Sequence, residues 1–317
     1  MSFILKECNN KEEWNKFVLS SPQNNLFCRI NFLDSMQQDC DFWFVQKGEL
    51  ILLGVLLNKN SDSSPLDGPF MYQGILYSEY IESLTSHKKY RTCLDSVEFL
   101  LKELESKYKA CSLSLHHSLE DLRAFQWLNY HNKKGSQGNL ELNYTGILEI
   151  NENMNFDQFF AKTSKGRRSD YKKCIKNGFI VEETIDTDLL DSLHEKTFLR
   201  QGLIRSPYDQ YLSKVLAKES ISKGFGRLLV CKDKQGKPAS ANLFLFDEKT
   251  CYYLVGANDP DFRNSGSGSF IVFQQIKYFL EKGIQFVDFI GINSPLRGDF
   301  KLSFNSSPRP YFLFSMK

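Results

Sequence analysis

The spacing of apolar and polar residues changes along the chain, and each change marks an element. Ser2 to Glu7 alternates as a strand, and Lys11 to Leu19 then sets Trp14, Phe17 and Val18 on one helical stripe. Asn10 with Glu13 three residues on resembles a capping box for that helix. A second helix is predicted over Asn31 to Gln38. Asp41 to Gln46 and Glu49 to Leu57 are strand-like runs about a Lys47-Gly48 turn, which predicts a hairpin. Asn58 to Gly74 is a polar loop, long enough to be of functional interest. A long helix, about Thr85 to Tyr108, and the strand Cys111 to His116 close this half.

The polar stretch Trp127 to Leu142, with Lys133-Lys134-Gly135-Ser136-Gln137-Gly138 at its centre, marks a boundary or surface loop. It divides the chain into domains at 1–140 and 141–317. The strand Leu142 to Ile150 leads into a helical region, Asn155 to Lys176, rich in lysine and arginine with Asp170 as its late acid. Such a helix is either a solvated face or a contact to phosphates. Helices Thr187 to Arg200 and Pro207 to Lys223 follow, then a hairpin of Gly226 to Lys232 and Pro238 to Phe246. After the strand Cys251 to Gly256 comes Arg263-Asn264-Ser265-Gly266-Ser267-Gly268, then a helix from Ser269 to Lys282 that Gly283 stops. The apolar strand Gln285 to Ile290 ends the pattern. Both halves run through helices, hairpin, helix and strand, which suggests an internal duplication. The fold class is α/β (α+β): two domains, each a mixed, mostly antiparallel sheet flanked by helices.

Composition narrows the function. The chain has 317 residues with 40 basic and 38 acidic side chains, so no global field draws it to DNA or to anionic lipid. The longest aliphatic run, Leu50 to Leu57, is too short to span a bilayer, and the start lacks a signal-peptide pattern. Peripheral membrane contact stays open. Eight cysteines without a C-x-x-C pair suit a reducing cytoplasm. His116 and His117 would alternate faces on a strand, so no metal site and no histidine-based catalytic group is expected.

The stretch from Arg263 to Gly268 carries the candidate chemistry. A glycine turn between a strand and a helix N-terminus leaves backbone N–H groups free to bind an anion. Its order of hairpin, strand, R-x-x-G-x-G, helix and strand resembles the acyl-CoA-binding core of the GNAT acyltransferases. Val287-Asp288-Phe289-Ile290-Gly291 with Phe300-Lys301-Leu302-Ser303-Phe304 looks like the "DF-x-G … FK-x-x-F" ending of the FemABX-like proteins, which hold two tandem GNAT-like domains. The basic helix from Lys165 to Gly178, and Pro65-Leu66-Asp67-Gly68-Pro69-Phe70 with Gly74-Ile75, are similar to segments of that family.

The resemblance implies a degenerate N-terminal domain on the acceptor side and a C-terminal domain that holds the donor. It implies acetyl-CoA or another acyl-CoA as donor, with no metal, and an amine acceptor such as an amino sugar or a cell-envelope or peptidoglycan precursor. The pyrophosphate would lie on Arg263, Asn264, Ser265, Gly266, Ser267 and Gly268, with oxyanion donors near Val255 and Gly256. Asn293 would contact the pantetheine arm or sulfur. Asp288 is a general base or an anchor for Lys301 or Arg297, and Lys301 sits where the family works near its acceptor. Tyr72, Gln73, Arg167, Arg168 and Arg297 are the acceptor-binding candidates. Two alternatives remain: an aminoacyl-tRNA-dependent Fem-type peptidoglycan-bridge enzyme, the branch in which tRNA is a partner, and a catalytically silent ligand- or protein-binding module. The coiled-coil arm of some tRNA-using members has no counterpart here, which favours CoA. The tyrosine that many GNAT enzymes place after the Asn293 position is missing from Ser294 to Asn305, so the general acid is unassigned.

Overall fold

The computed structural model describes residues 2–59, 69–132, 134–151 and 154–317. Pro65 to Gly68 of the proline-containing loop, and Lys133 of the expected boundary, lie outside the described residues. The chain groups into two units, Met1–Asn143 with Pro310–Lys317, and Tyr144–Arg309.

The first unit holds an antiparallel sheet of β1 (Phe3–Glu7), β2 (Cys40–Lys47), β3 (Leu50–Asn58) and β4 (Ile75–Tyr77), in that order. Leu52 to Leu57 of β3 are all buried, because helices cover both faces of the sheet. On one side α1 (Lys11–Ser20) sets Trp14 and Phe17 against Phe44, at ring distances of 5.9 and 5.0 Å. Gly54 makes that packing fit, since a Cβ there would come within 2.6 Å of the Phe17 ring. On the other side Val97, Leu100, Leu101 and Leu104 of α3 (Ser86–Lys107) join Val45, Leu53 and Val55 in one core. A short helix, α2 (Ile30–Ser35), lies between α1 and β2 in sequence. Only half the expected capping box forms at α1: the Asn10 side chain accepts from the Glu12 and Glu13 N–H groups. The strand β5 (Cys111–Ser114) pairs with Leu313 to Met316, which is why the final residues group here and not with the second domain.

β5 stops at Ser114, so strand alternation never reaches His116 and His117. Their rings lie 4.2 Å apart, and both pack on Tyr72. Burial holds His116 well below its usual range, and no metal-binding cluster occurs among the described residues.

The second unit holds strands in the order β6-β11-β10-β9-β8-β7: β6 (Gly138–Glu149, from Tyr144 onward in this unit), β7 (Ile180–Glu183), β8 (Gly226–Lys232), β9 (Pro238–Phe246), β10 (Thr250–Asn258) and β11 (Phe286–Asp288). Neighbours run antiparallel except β10 and β11, which are parallel. The last strand is β12 (Ser307–Met316). β6 starts inside the polar stretch expected to be loop, and β7 has no sequence signal, being a short edge strand whose pattern is mostly exposed.

The basic region is two helices, α4 (Phe156–Lys162) and α5 (Lys165–Lys176), because Ser164 caps the second and ends the first. Next come α6 (Thr187–Leu199), α7 (Pro207–Tyr211) and α8 (Ala217–Ser222), with a π-helical stretch, Leu212–Leu216, joining the last two. The helix α9 (Ser267–Glu281) begins inside the glycine motif, and α10 (Pro295–Leu302) follows β11. Phenylalanines 159, 244, 273, 279, 289 and 304 are fully buried around α9, which places them in core rather than in an exposed patch. No helix among the described residues is long and apolar enough to cross a membrane.

Candidate active site

The site is built where β10 ends. β10 pairs with β11 over Thr250 to Tyr252 only; beyond that point this edge of β10 has no paired strand among the described residues. A bulge between Tyr253 and Val255 breaks the register with β9. After β10 the chain turns through Pro260–Phe262, where Asp259 accepts from the Asp261 N–H and pairs with Lys196 at 2.8 Å. Gly266 then caps α9 with φ of 89°, a left-handed conformation that glycine adopts at little cost.

Polar contacts tie this turn to α5. The Lys173 ammonium donates to the Asn264 carbonyl, and the Cys174 thiol to that of Ser265. The Ser267 N–H donates to the Ser265 hydroxyl at 3.1 Å. The N–H groups of Gly266 and Gly268 find no acceptor among the described residues, as an anion site requires. The glycines also serve packing, which the local motif did not reveal. A Cβ at Gly266 would lie 2.9 Å from the Asp170 backbone, and one at Gly268 would lie 2.7 Å from the Asn258 side-chain oxygen.

Above the turn is a cavity of about 380 Å³ lined by Arg167, Arg200, Arg263, Asn258, Ser267 and Gly268, among others. Arg167 is fixed in place: it donates to the Ser269 hydroxyl at 2.9 Å, lies 3.4 Å from Asp170 and covers the Phe300 ring at 5.0 Å. Ser269 in turn donates to Asp170 at 2.6 Å. Asp170 therefore orients an arginine at the N-terminus of α9, where the helix dipole also favours negative charge. Arg263 is exposed on the rim.

Asp288 ends β11, paired with Tyr252 of β10, and Lys301 lies on α10. Asp288 is fully buried and accepts from the Thr145 hydroxyl and from the Ile290 N–H at 2.9 Å. This holds a turn in which Ile290 and Gly291 both have positive φ, of 37° and 62°. The Lys301 ammonium donates to the carbonyls of those two residues and sits 5.4 Å from the centre of the Tyr253 ring. Burial pushes Lys301 down to about 8, with Asp288 opposing the shift and Arg297 adding to it. A cation is thus held next to the open edge of β10.

The acetyltransferase (GNAT) domain model matches residues 165–302, a span that contains every residue lining the cavity. No curated protein sequence matches the chain. Among solved structures, FemX superposes with a TM-score of 0.67 at 16% identity, covering 98% of this chain and 97% of its own. A conserved protein of unknown function from Bacteroides thetaiotaomicron gives 0.62 at 11% identity, with both chains covered in full. A tandem GNAT protein from the clavulanic acid biosynthesis pathway, solved without AcCoA, gives 0.54 at 9% identity, covering 100% and 98%. The chain has a FemABX-like double GNAT fold.

Within this double GNAT fold the expected site residues separate into groups. Val255, Gly256, Arg263 to Gly268, Asp288 and Lys301 border β10 and the turn that follows it. Asn293 lies just past β11 and accepts from the Tyr144 N–H at 2.7 Å. Arg297 is exposed on α10. Arg168 faces away from the cavity and donates to the carbonyls of Ala161 and Thr163, where it closes the end of α4. Tyr72 and Gln73 are sealed in the first unit: the Gln73 amide donates to the Phe27 carbonyl and to Gln38, and accepts from Phe70, so it braces its loop from within. The sequence pattern does not mark Ser269, Thr145 or Tyr253 as site residues. An acid alone among the bases of α5 was a signal for the Asp170 pairing; no local signal marked Thr145.

Proposed function

We propose that this chain is an acyl-CoA-dependent N-acyltransferase that moves an acyl group, acetyl first among those to test, onto an amine such as an amino sugar or a cell-envelope precursor. The observation that carries the proposal is the cavity at the start of α9, where unpartnered Gly266 and Gly268 N–H groups meet the fixed guanidinium of Arg167. A pyrophosphate would be bound there by backbone donors, the helix dipole and Arg167 with Arg263. The pantetheine arm would then run along the open edge of β10, past Asn293. Backbone donors near Val255 and Gly256 would meet the acyl oxygen, and Lys301 would supply positive charge as negative charge develops. Asp288, enclosed by Thr145 and the Ile290 N–H, acts by holding the Lys301 turn. A cytoplasmic location belongs to the same proposal.

A second reading takes aminoacyl-tRNA as donor, as in the Fem-type branch that the sequence resembles; FemX shares the double fold. Thermal melts with acetyl-CoA, longer acyl-CoAs, nucleotide sugars and tRNA separate the two. Ligand at ~100 Kd adds about 2.7 kcal/mol and raises Tm visibly. No shift with any CoA rules out the leading proposal; a shift with tRNA that CoA does not compete away selects the second. Turnover of acetyl-CoA on a panel of amino sugars then tests the acceptor class.

A further inference from the structure

The bulge in β10 re-aims one side chain that the chemistry above leaves unused. In a regular strand, residues three apart point to opposite faces. The irregularity between Tyr253 and Val255 adds a residue, so Tyr253 and Gly256 come to share a face. The Tyr253 hydroxyl reaches so far forward that a Cβ on Gly256 would lie 1.9 Å from the phenolic oxygen. No side chain fits at 256 while the tyrosine keeps this position.

The ring itself is held on several sides. It stacks on Phe244 at 5.0 Å, meets Phe289 edge-on at 6.1 Å and has the Lys301 ammonium 5.4 Å from its centre. Phe289 and Lys301 both follow β11 in sequence, so the ring occupies the space where β10 and β11 part. Its hydroxyl has no hydrogen-bond partner among the described residues. It is not among the fully enclosed polar atoms, so the ring is buried while its tip stays within reach of a ligand. A donor is therefore fixed against the backbone at Gly256 with no acceptor for it among the described residues.

We propose that the Tyr253 hydroxyl is an oxyanion donor, binding the acyl oxygen beside the backbone donors of Val255 and Gly256. The inference rests on the acyl-transfer reading of this site. In the step it serves, the amine lone pair forms the new C–N bond and the carbonyl π pair moves onto oxygen. That oxygen accepts a hydrogen bond from Tyr253, which keeps its proton. When the pair returns, the C–S bond breaks, its electrons leave with sulfur, and the proton lost by nitrogen ends on sulfur. Burial raises the phenol above its ordinary range, so it stays a neutral donor throughout the working pH range.

Tyr253→Phe removes only the unpartnered hydroxyl. Tm, acetyl-CoA affinity and KM are expected to hold, while kcat falls about 100-fold or more. An unchanged kcat overturns the inference and leaves the function standing. Failure of the function itself shows separately, as a wild-type protein that no CoA stabilises. The placement of the hydroxyl is checked without any acceptor by Gly256→Ala. In the wild-type background the new methyl meets the phenolic oxygen at 1.9 Å, whereas in Tyr253→Phe it meets a ring carbon at 2.7 Å. Its cost in Tm should be clearly smaller in the phenylalanine background, and equal costs would overturn the geometry.

Discussion

Lys301→Met tests the partly buried cation on which the proposed chemistry leans. Lys301 is held near 8 in the folded protein against 10.5 for a free lysine, with burial as the main cause. At pH 7 the folded state carries a charge that its surroundings disfavour, at a cost of roughly 3 kcal/mol. Because the folded pKa is lowered, the unfolded chain binds more protons between pH 8 and 10.5, and stability attributable to this group rises with pH across that window. Integrated from pH 7 to pH 9.5, the gain is about 2 kcal/mol. Methionine fills similar space and does not titrate, so the variant lacks the gain. The assay is urea unfolding of both proteins at the two pH values, compared as a difference of differences so that other titrating groups cancel. Wild type should gain about 2 kcal/mol on the variant between them. Parallel stabilities would show that Lys301 titrates as it does in water, and the account of a desolvated cation beside β10 would be wrong. Acyl transfer by the variant should drop sharply at both pH values. In wild type, the turnover that depends on the charged form should decline above about pH 8.

Three further outcomes are expected. Arg167→Met should weaken acetyl-CoA binding about tenfold or more in a titration, since a charge-assisted contact contributes roughly 1.5–3 kcal/mol. Arg168→Ala should leave that affinity unchanged and lower Tm, because its partners are the carbonyls at the end of α4. Thr145→Val removes a donor from the fully buried Asp288 and should cost about 1–3 kcal/mol in urea unfolding, while a loss under ~0.5 kcal/mol would mean Asp288 is satisfied without it.

Arg167 and Arg168 show how far a sequence can be read. Both belong to a basic helix, and composition treats them alike. Successive residues on a helix point about 100° apart, so one turns to Ser269 and the cavity while the other turns back to α4. The pair Tyr72 and Gln73 was legible as a notable loop but not as a buried one, because burial depends on Phe27, Gln38 and Ser114, which are distant in sequence. The break between α4 and α5 was written locally in Thr163-Ser164, though the apolar spacing ran across it.

Local physics alone determined the strand, glycine turn and helix start at β10 and α9, the hairpins, and the long helices with their stripes. Each depends on torsional preference and periodicity within about a dozen residues. Tertiary structure decided what those elements are for. Gly266 and Gly268 are glycine partly because Asp170 and Asn258 press against them. Lys301 loses its ordinary basicity because the Ile290-Gly291 turn and Tyr253 enclose it. Tyr253 faces Gly256 because a bulge shifted the strand by one residue. Each of these depends on groups brought together by packing, and the energies of burial and charge that define a site exist only once they meet.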